Sequence, residues 1–390
     1  MNRIAIIVPG GAAEYGKGIH IPAVYDLVSR LSEQFEITLY SLSVPGVKQP
    51  SLSCGKARVR YLRTHTKSAF VVKFLSFLSV LLRDFRTEQF QLLHGMLGWP
   101  AEAAVVLASR LLRIPSLITL HGGETANIPQ FQYGSLRHPL LKKLTFWIGG
   151  SASSLVVLSK FQEARLKQLG LFRNDVHIIP NCPDSLTFHP KVKLLKEPFH
   201  FLHVANVHEL KDQITLLKAF SIIRKEFECK LRIVGLDYLN GRLRGIAEQL
   251  DISDSVEFVG YVENKALGAH FNWGHVLLHT SLYEAQSVAV AEAAACGLAI
   301  AGTKVGLISD FSPTGAIGVD VGDHERLARE VIHLLKDPVR FDGLRAESLE
   351  WAKIHNLEWT VGQYTALYQK LVGKHLQEKH NRAVVHPFLF

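Results

Sequence analysis

The segment from Ser281 to Gly297, Ser-Leu-Tyr-Glu-Ala-Gln-Ser-Val-Ala-Val-Ala-Glu-Ala-Ala-Ala-Cys-Gly, holds two glutamates, Glu284 and Glu292, with seven residues between them. A β-rich run ends near His279 and a run of small residues begins near Ser287, which predicts Glu284 in a turn and Glu292 inside a helix. Carboxylates placed this way accept hydrogen bonds from sugar hydroxyls at two points of one ligand. The helix amino end between them exposes N–H groups and the positive pole of the helix dipole, so a phosphate fits there.

Three further groups carry candidate chemistry. In Val204-Ala-Asn-Val-His-Glu-Leu-Lys211-Asp-Gln a strand ends near Ala205 and Lys211 stands just before the next helix, within reach of the cleft at the carboxyl ends of the strands. In Ile118-Thr-Leu-His121-Gly-Gly-Glu124 a histidine followed by two glycines sits at the carboxyl end of a strand, on an exposed loop. Near the start, Pro9-Gly-Gly11 closes the first strand and Gly18 and His20 precede the first helix; glycines here let the backbone approach a sugar or phosphate. Their spacing does not fit G-x-G-x-x-G, which excludes a nicotinamide-type site. No D-x-D occurs, and His200, His203 and His208 are explained by one strand and the turn after it, so neither a metal nor a cofactor is expected. No Ser-His-Asp or Cys-His set stands out, so no covalent nucleophile is expected either.

The elements that must position these groups alternate. Arg3–Val8, Glu36–Ser43, 91–94, 116–120 and Ser154–158 read as buried strands, with helices over 21–35 and Ala101–Leu112. After a lysine-rich tract at 191–198 the pattern restarts with strands at 201–205, 230–235, 256–259, 275–278 and 298–301, separated by helices. Strand and helix in this order indicate βαβ units, an α/β fold and parallel sheets covered on both faces. The 390 residues exceed one ordinary core, so two doubly wound domains are expected: 1–190, a linker at 191–198, and 199–357. A helix over 358–376 is expected to pack back on the first domain, followed by a loosely held tail over 377–390.

The Glu284 to Glu292 segment resembles the E-x7-E motif of the retaining glycosyltransferases of family 4, and the resemblance runs from the first strand to Asp337. It implies the GT-B fold, two Rossmann-like doubly wound domains facing across a cleft. It implies that Glu284 contacts the donor sugar and Glu292 the ribose hydroxyls, and that main-chain N–H groups of Gln286, Ser287 and Val288 meet the diphosphate of a UDP- or GDP-sugar. Lys211 matches the lysine of the V-G-R-L-x-x-x-K-G segment, whereas Asn206 stands in place of its arginine and Ala205 in place of its glycine. His121 matches the T-x-H-[GD] strand end, which implies a reach to the donor sugar. Gly11 matches the glycine-rich first loop loosely. Gly306, in Thr303-Lys-Val-Gly306, matches the next glycine segment, whose second glycine is replaced by Leu307. The resemblance further implies transfer with retention of anomeric configuration, with the leaving diphosphate balanced by Lys211 and helix N–H groups.

Charge adds a partner. Residues 1–190 hold 21 Lys and Arg against 11 Asp and Glu, while 191–390 hold 23 against 24, so the net +9 sits in the first half. Much of it lies in Lys56, Arg58, Arg60, Arg63, Lys67, Lys73, Arg83 and Arg86, a basic face suited to anionic lipid or an acidic acceptor. With Phe70–Leu82 as an amphipathic contact, the expected acceptor is a glycan or lipid-linked glycan of surface polysaccharide synthesis at the inner membrane face. Basic motifs interleaved with aromatics are missing, so no nucleic acid is expected. Four scattered cysteines indicate a reducing compartment, and Met1–Gly10 reads as a strand rather than a signal peptide, hence a cytoplasmic protein, peripheral to the membrane. The rival readings are a GT-B nucleotide-sugar epimerase and a non-catalytic sugar- or nucleotide-binding protein.

Overall fold

The computed structural model describes residues 1–10, 21–43, 53–65, 67–98, 100–171, 175–192 and 195–385. The chain forms two compact units. One holds Met1–Leu158, Glu163–Ile179 and the chain from Thr360 onward; the other holds Ser159–Gln162 and Pro180–Trp359. The second unit thus begins upstream of the lysine-rich tract expected as a linker, within which residues 193 and 194 lie outside the described residues.

In the first unit the strands are β1 (Arg3–Val8), β2 (Glu36–Ser43), β3 (Ser53–Cys54), β4 (Ala57–His65), β5 (Leu92–Met96), β6 (Ser116–Thr119), β7 (Ser154–Val157) and β8 (Val176–Ile178). Their order is β3-β4-β2-β1-β5-β6-β7-β8, and every pairing is parallel except the short β3–β4 edge hairpin. Apolar runs such as Ile4–Val8 are buried on both faces, the pattern of a parallel sheet covered by helices. Those helices are α1 (Pro22–Leu31), α2 (Phe70–Glu88), α3 (Ala101–Leu112), α4 (Pro139–Ser151) and α5 (Lys160–Gln168), the last starting in the second unit. Strand β4 was not anticipated: its arginines alternate with apolar residues and made it read only as a basic stretch.

That stretch is also less basic in space than in sequence. Arg60 pairs with Asp84 at 2.5 Å and Glu88 at 2.6 Å, Arg58 with Glu88 at 3.0 Å, and Arg83 with Asp84 at 2.8 Å. The two carboxylates lie near the end of α2 and reach across to β4, so part of the expected cationic face is neutralised within the unit.

In the second unit the strands are β9 (Phe199–Val204), β10 (Cys229–Val234), β11 (Val256–Gly260), β12 (Val276–His279), β13 (Ala299–Thr303) and β14 (Ile317–Val319), in the order β11-β10-β9-β12-β13-β14 and all parallel. The chain winds outward from β9 in one direction, then returns to begin again at β12 on its other side. This is the doubly wound Rossmann order, whose ligand crevice lies at the carboxyl ends of the two strands where the winding reverses. Around the sheet lie α6 (Gln213–Ile223), α7 (Arg242–Gln249), α8 (Asn264–Trp273), α9 (Val288–Ala295), α10 (Gly306–Phe311), α11 (His324–Leu335) and α12 (Pro338–Ile354). Helix α13 (Leu357–Val385) leaves this unit after Trp359 and belongs to the first from Thr360. The expected tail at 377–390 is corrected: continuous helix-forming residues carry α13 to Val385, and 386–390 lie outside the described residues.

Within the first unit α13 is fastened by polar groups as well as apolar ones. Tyr368 meets His94 Nδ1 at 2.5 Å, while His94 Nε2 and the Tyr364 hydroxyl both meet Thr119 Oγ1, at 2.8 and 3.0 Å. Burial holds His94 neutral, its pKa lowered to about 3. All four cysteines are buried free thiols, and no helix among the described residues is long and apolar enough to cross a membrane.

Candidate active site

The winding of the second sheet reverses between β9 and β12, and both strands end in candidate residues. After β9 the chain passes Asn206 and a 3-10 turn, Glu209–Lys211, before Asp212 caps α6 by accepting from the Thr215 N–H. After β12 it passes Thr280 and Ser281 to Glu284. Cross-ties hold the two loops together: Thr280 Oγ1 donates to the Asp212 carbonyl at 2.9 Å, and the Leu282 N–H to the Leu210 carbonyl at 2.9 Å. Lys211 Nζ consequently donates directly to Glu284 Oε1 across the reversal point.

Two more groups converge on that oxygen. Ser281 Oγ donates to it at 2.7 Å, and His279 Nε2 lies 3.2 Å away. Glu284 Oε2 makes no hydrogen bond to any described residue. Burial pushes the Glu284 carboxyl up, but the Lys211 ammonium and the His279 contact outweigh it and hold the group well below the usual carboxylate range. Glu284 is therefore an anion at neutral pH with one oxygen committed to protein and one available.

Beneath it lies a histidine network that residue spacing alone did not disclose. His203 Nδ1 meets the Leu278 carbonyl at 2.8 Å and its Nε2 meets Gln213 Nε2 at 3.2 Å. A glutamine Nε2 is only a donor, so His203 Nε2 accepts and Nδ1 carries the proton. Burial keeps this ring neutral, with its pKa lowered to about 3, and it stacks on His279 with centroids 5.8 Å apart. The signal for His279 was its place at the last residue of a strand, two before Ser281 and five before Glu284, a spacing that becomes meaningful only once the turn folds back.

The turn after Glu284 is built to hold its backbone. Gln286 is 2% exposed; its side chain accepts from the Asn181 N–H and donates to the Asn181 carbonyl, both at 2.7 Å, and its own carbonyl accepts from the Leu307 N–H at 2.8 Å. Gly306, with φ +53, fits because any Cβ there would lie 2.4 Å from the Gln286 carbonyl oxygen. Its glycine requirement is thus accounted for by packing on the turn. Ser287 adopts φ +72, uncommon for a residue with a side chain, and opens α9, whose first turn carries no acidic residue and no side-chain cap. Glu292 lies one turn further, buried in α9. Asn206, at the arginine position, turns Oδ1 to the Leu236 N–H at 3.0 Å and so ties the loops after β9 and β10 together, while its carbonyl accepts from Gln213. Leu307, in place of a second glycine, fills the core between α9 and α10.

His121 belongs to the first unit, where it lines a cleft of about 440 Å³ at the carboxyl ends of β5 and β6. Burial keeps it neutral, its pKa lowered to about 4, and its Nε2 has no partner among the described residues. Gly11 lies outside the described residues. The second unit therefore brings together Lys211, Glu284, Gln286, Ser287, Val288 and Gly306, with Asn206 in the adjoining loop and Glu292 behind.

Two family descriptions divide the chain between them: "Glycosyl transferases group 1" matches residues 184–351 and "Glycosyltransferase Family 4" matches residues 23–185. The chain belongs to glycosyltransferase family 4. Among similar proteins, N-acetyl-alpha-D-glucosaminyl L-malate synthase of Bacillus anthracis is 25% identical over 308 residues, 75% of this chain and 78% of that protein. A phosphatidylinositol N-acetylglucosaminyltransferase subunit of Homo sapiens is 37% identical over 144 residues, 36% of this chain and 30% of that protein. The solved structure of sucrose-phosphate synthase from Thermosynechococcus elongatus superposes with a TM-score of 0.81 at 19% identity, covering 96% of this chain and all of that one. Anabaena HepE, solved with UDP and glucose, gives 0.74 at 13% identity over 95% of this chain. The glycosyltransferase thus has the GT-B fold, with two Rossmann-like parallel sheets.

Proposed function

We propose that this glycosyltransferase moves a sugar from a UDP- or GDP-sugar to a glycan or lipid-linked acceptor with retention of configuration, and does so without a metal. The observation that carries the reading is the convergence of Lys211, His279 and Ser281 on one oxygen of Glu284 at the point where the second sheet reverses its winding. Glu284 Oε2 is placed to accept from a donor-sugar hydroxyl. The diphosphate takes Lys211 and the N–H groups of Ser287 and Val288 at the amino end of α9, and Glu292 accepts from the ribose. Charge on the departing phosphate is balanced by groups already fixed in position, so the protein contributes positioning and electrostatic stabilisation.

Support for the donor class comes from a structural neighbour solved with UDP-glucose, and support for a lipid or small polar acceptor from relatives named for phosphatidylinositol and L-malate. On this reading the protein acts in surface polysaccharide synthesis at the cytoplasmic membrane face. Its exposed Val71, Val72 and Leu75 on α2, beside Lys73, supply the apolar contact, although Asp84 and Glu88 neutralise part of the neighbouring charge. A thermal-shift screen of UDP- and GDP-sugars tests the donor assignment, since a ligand held only by the folded state raises the melting temperature. One of them raises it for the wild type and not for Glu284→Ala. Stabilisation of both proteins alike would remove Glu284 from the donor site. Proton NMR of the transfer product then reads the anomeric configuration, and an inverted product would overturn retention.

A further inference from the structure

The two strands that flank the reversal point of the second sheet part from each other before either of them ends. Pairing between β9 and β12 stops at Leu202–Leu277, whereas on its other side β9 stays paired with β10 to Val204, and β12 stays paired with β13 to His279. The sheet therefore splits over the last two residues of each strand, and the crevice of a doubly wound sheet opens in that split. One side chain spans it at the level of the strands: His203 on β9 meets the Leu278 carbonyl on β12 at 2.8 Å through Nδ1. The cross-ties from Thr280 to Asp212 and from Leu282 to Leu210 lie further out, in the loops.

The ring is held for that task from its other edge. Gln213, buried at the start of α6, donates from Nε2 both to His203 Nε2 at 3.2 Å and to the Asn206 carbonyl at 3.0 Å. An amide nitrogen only donates, so His203 Nε2 accepts, and the single proton of the neutral ring sits on Nδ1, aimed at Leu278. His203 is fully buried and stacks on His279, so turning the ring away would strip the Leu278 carbonyl and the Gln213 amide of these partners where water does not reach.

We propose that His203 is a positioning residue: by bridging β9 to β12 where their pairing ends, it sets how far apart the loops carrying Lys211 and Glu284 stand. Lys211 follows β9, while Glu284 and the amino end of α9 follow β12, so a single diphosphate has to be met from both sides of the split. That catalytic consequence rests on the donor reading; the brace itself does not. Misplacing reacting groups by about 1 Å costs on the order of a hundredfold in rate, so a small change in the split is enough to matter.

Two polar substitutions separate the contacts. In His203→Asn the amide nitrogen takes the place of Nδ1 and keeps the bond to Leu278; in His203→Gln the amide reaches the Nε2 position beside Gln213 and gives up Leu278. His203→Phe keeps a ring and gives up both, and the Asn and Gln variants decide the matter if the Phe variant does not fold. The first readout needs no ligand: the drop in melting temperature that Lys211→Met causes in each background. His203→Asn leaves that drop at its wild-type size, while His203→Gln and His203→Phe shrink it at least about twofold, because the ion pair is no longer held in register. The second readout is release of UDP or GDP from the nucleotide sugar that the thermal-shift screen selects. Its kcat falls at least about tenfold in His203→Gln and His203→Phe and stays within about threefold of wild type in His203→Asn, whatever the order of the melting temperatures. Equal Lys211→Met drops in every background, or kcat values that follow the melting temperatures instead of the Leu278 contact, overturn the proposal. Glu284→Ala measured alongside keeps the two readings apart: release that survives in it overturns the donor assignment, and the ligand-free measurement still decides the brace.

Discussion

Replacing Lys211 by methionine removes the ammonium from a pair whose side chains are only 25% and 13% exposed and leaves the Glu284 carboxylate facing His279 and Ser281. Stranding one member of a buried pair costs about 3–5 kcal/mol, and partial exposure puts this pair at the lower end, about 3 kcal/mol. For a unit of this size, melting temperature falls about 2–4 °C per kcal/mol, so the second unit should melt roughly 6–12 °C lower. The pH dependence has a definite sign. In the wild type the Glu284 pKa is depressed on folding, so its contribution is present above the unfolded value and lost as pH falls through the folded one. In Lys211→Met burial dominates and the pKa rises, so the penalty is full at pH 8 and shrinks towards pH 5 as the carboxyl takes a proton. Adding Glu284→Gln removes the stranded charge and restores most of the stability, yet transfer stays lost in both variants. Denaturant melts of the three proteins from pH 5 to 8, with transfer rates beside them, decide the matter. A deficit under about 1 kcal/mol, or one that grows towards acid, would refute the buried-pair reasoning.

Other expectations are narrower. His279→Leu keeps the fold but frees Glu284 from one of its three contacts, so kcat falls roughly tenfold, the lower range for a positioning group, while KM for the donor moves little; an unchanged kcat argues against positioning. Gly306→Ala sets a Cβ against the Gln286 carbonyl at a left-handed φ, and a loss of at least about 2 kcal/mol together with weaker nucleotide-sugar binding is expected by calorimetry. His94, His121 and His203 stay neutral when folded, with pKa values lowered to about 3, 4 and 3. Because the unfolded chain protonates them near 6.5, stability falls below that pH by about 1.4 kcal/mol per pH unit for each. At pH 5 this amounts to about 4 kcal/mol in the first unit and about 2 in the second, and melts that do not move between pH 7 and 5 would count against it.

Much of the architecture was legible because buried parallel strands announce themselves as apolar runs: Arg3–Val8 and Glu36–Ser43 have the bounds their composition suggests. Strand β4 did not, since four of its nine residues are arginine or histidine and only alternation marks it. The tail failed for a different reason. Polar residues after 376 look like a frayed end, but a helix already anchored through Tyr364 and Tyr368 continues with little further cost. At the site, residue types and spacing were readable, while partnership was not. Nothing in the order of residues says that Lys211 and Glu284, 73 positions apart, touch, because that depends on which strands become neighbours. The neutralisation of Arg58 and Arg60 by Asp84 and Glu88 was hidden in the same way, across the span from β4 to α2.

The most direct test is a crystal structure of the chain with a nucleotide sugar that the thermal-shift screen selects. The expected complex has a diphosphate within hydrogen-bond reach of Lys211 Nζ and of the Ser287 or Val288 N–H, with a sugar hydroxyl on Glu284 Oε2. A nucleotide sugar bound elsewhere, with the Lys211–Glu284 contact undisturbed, would contradict it.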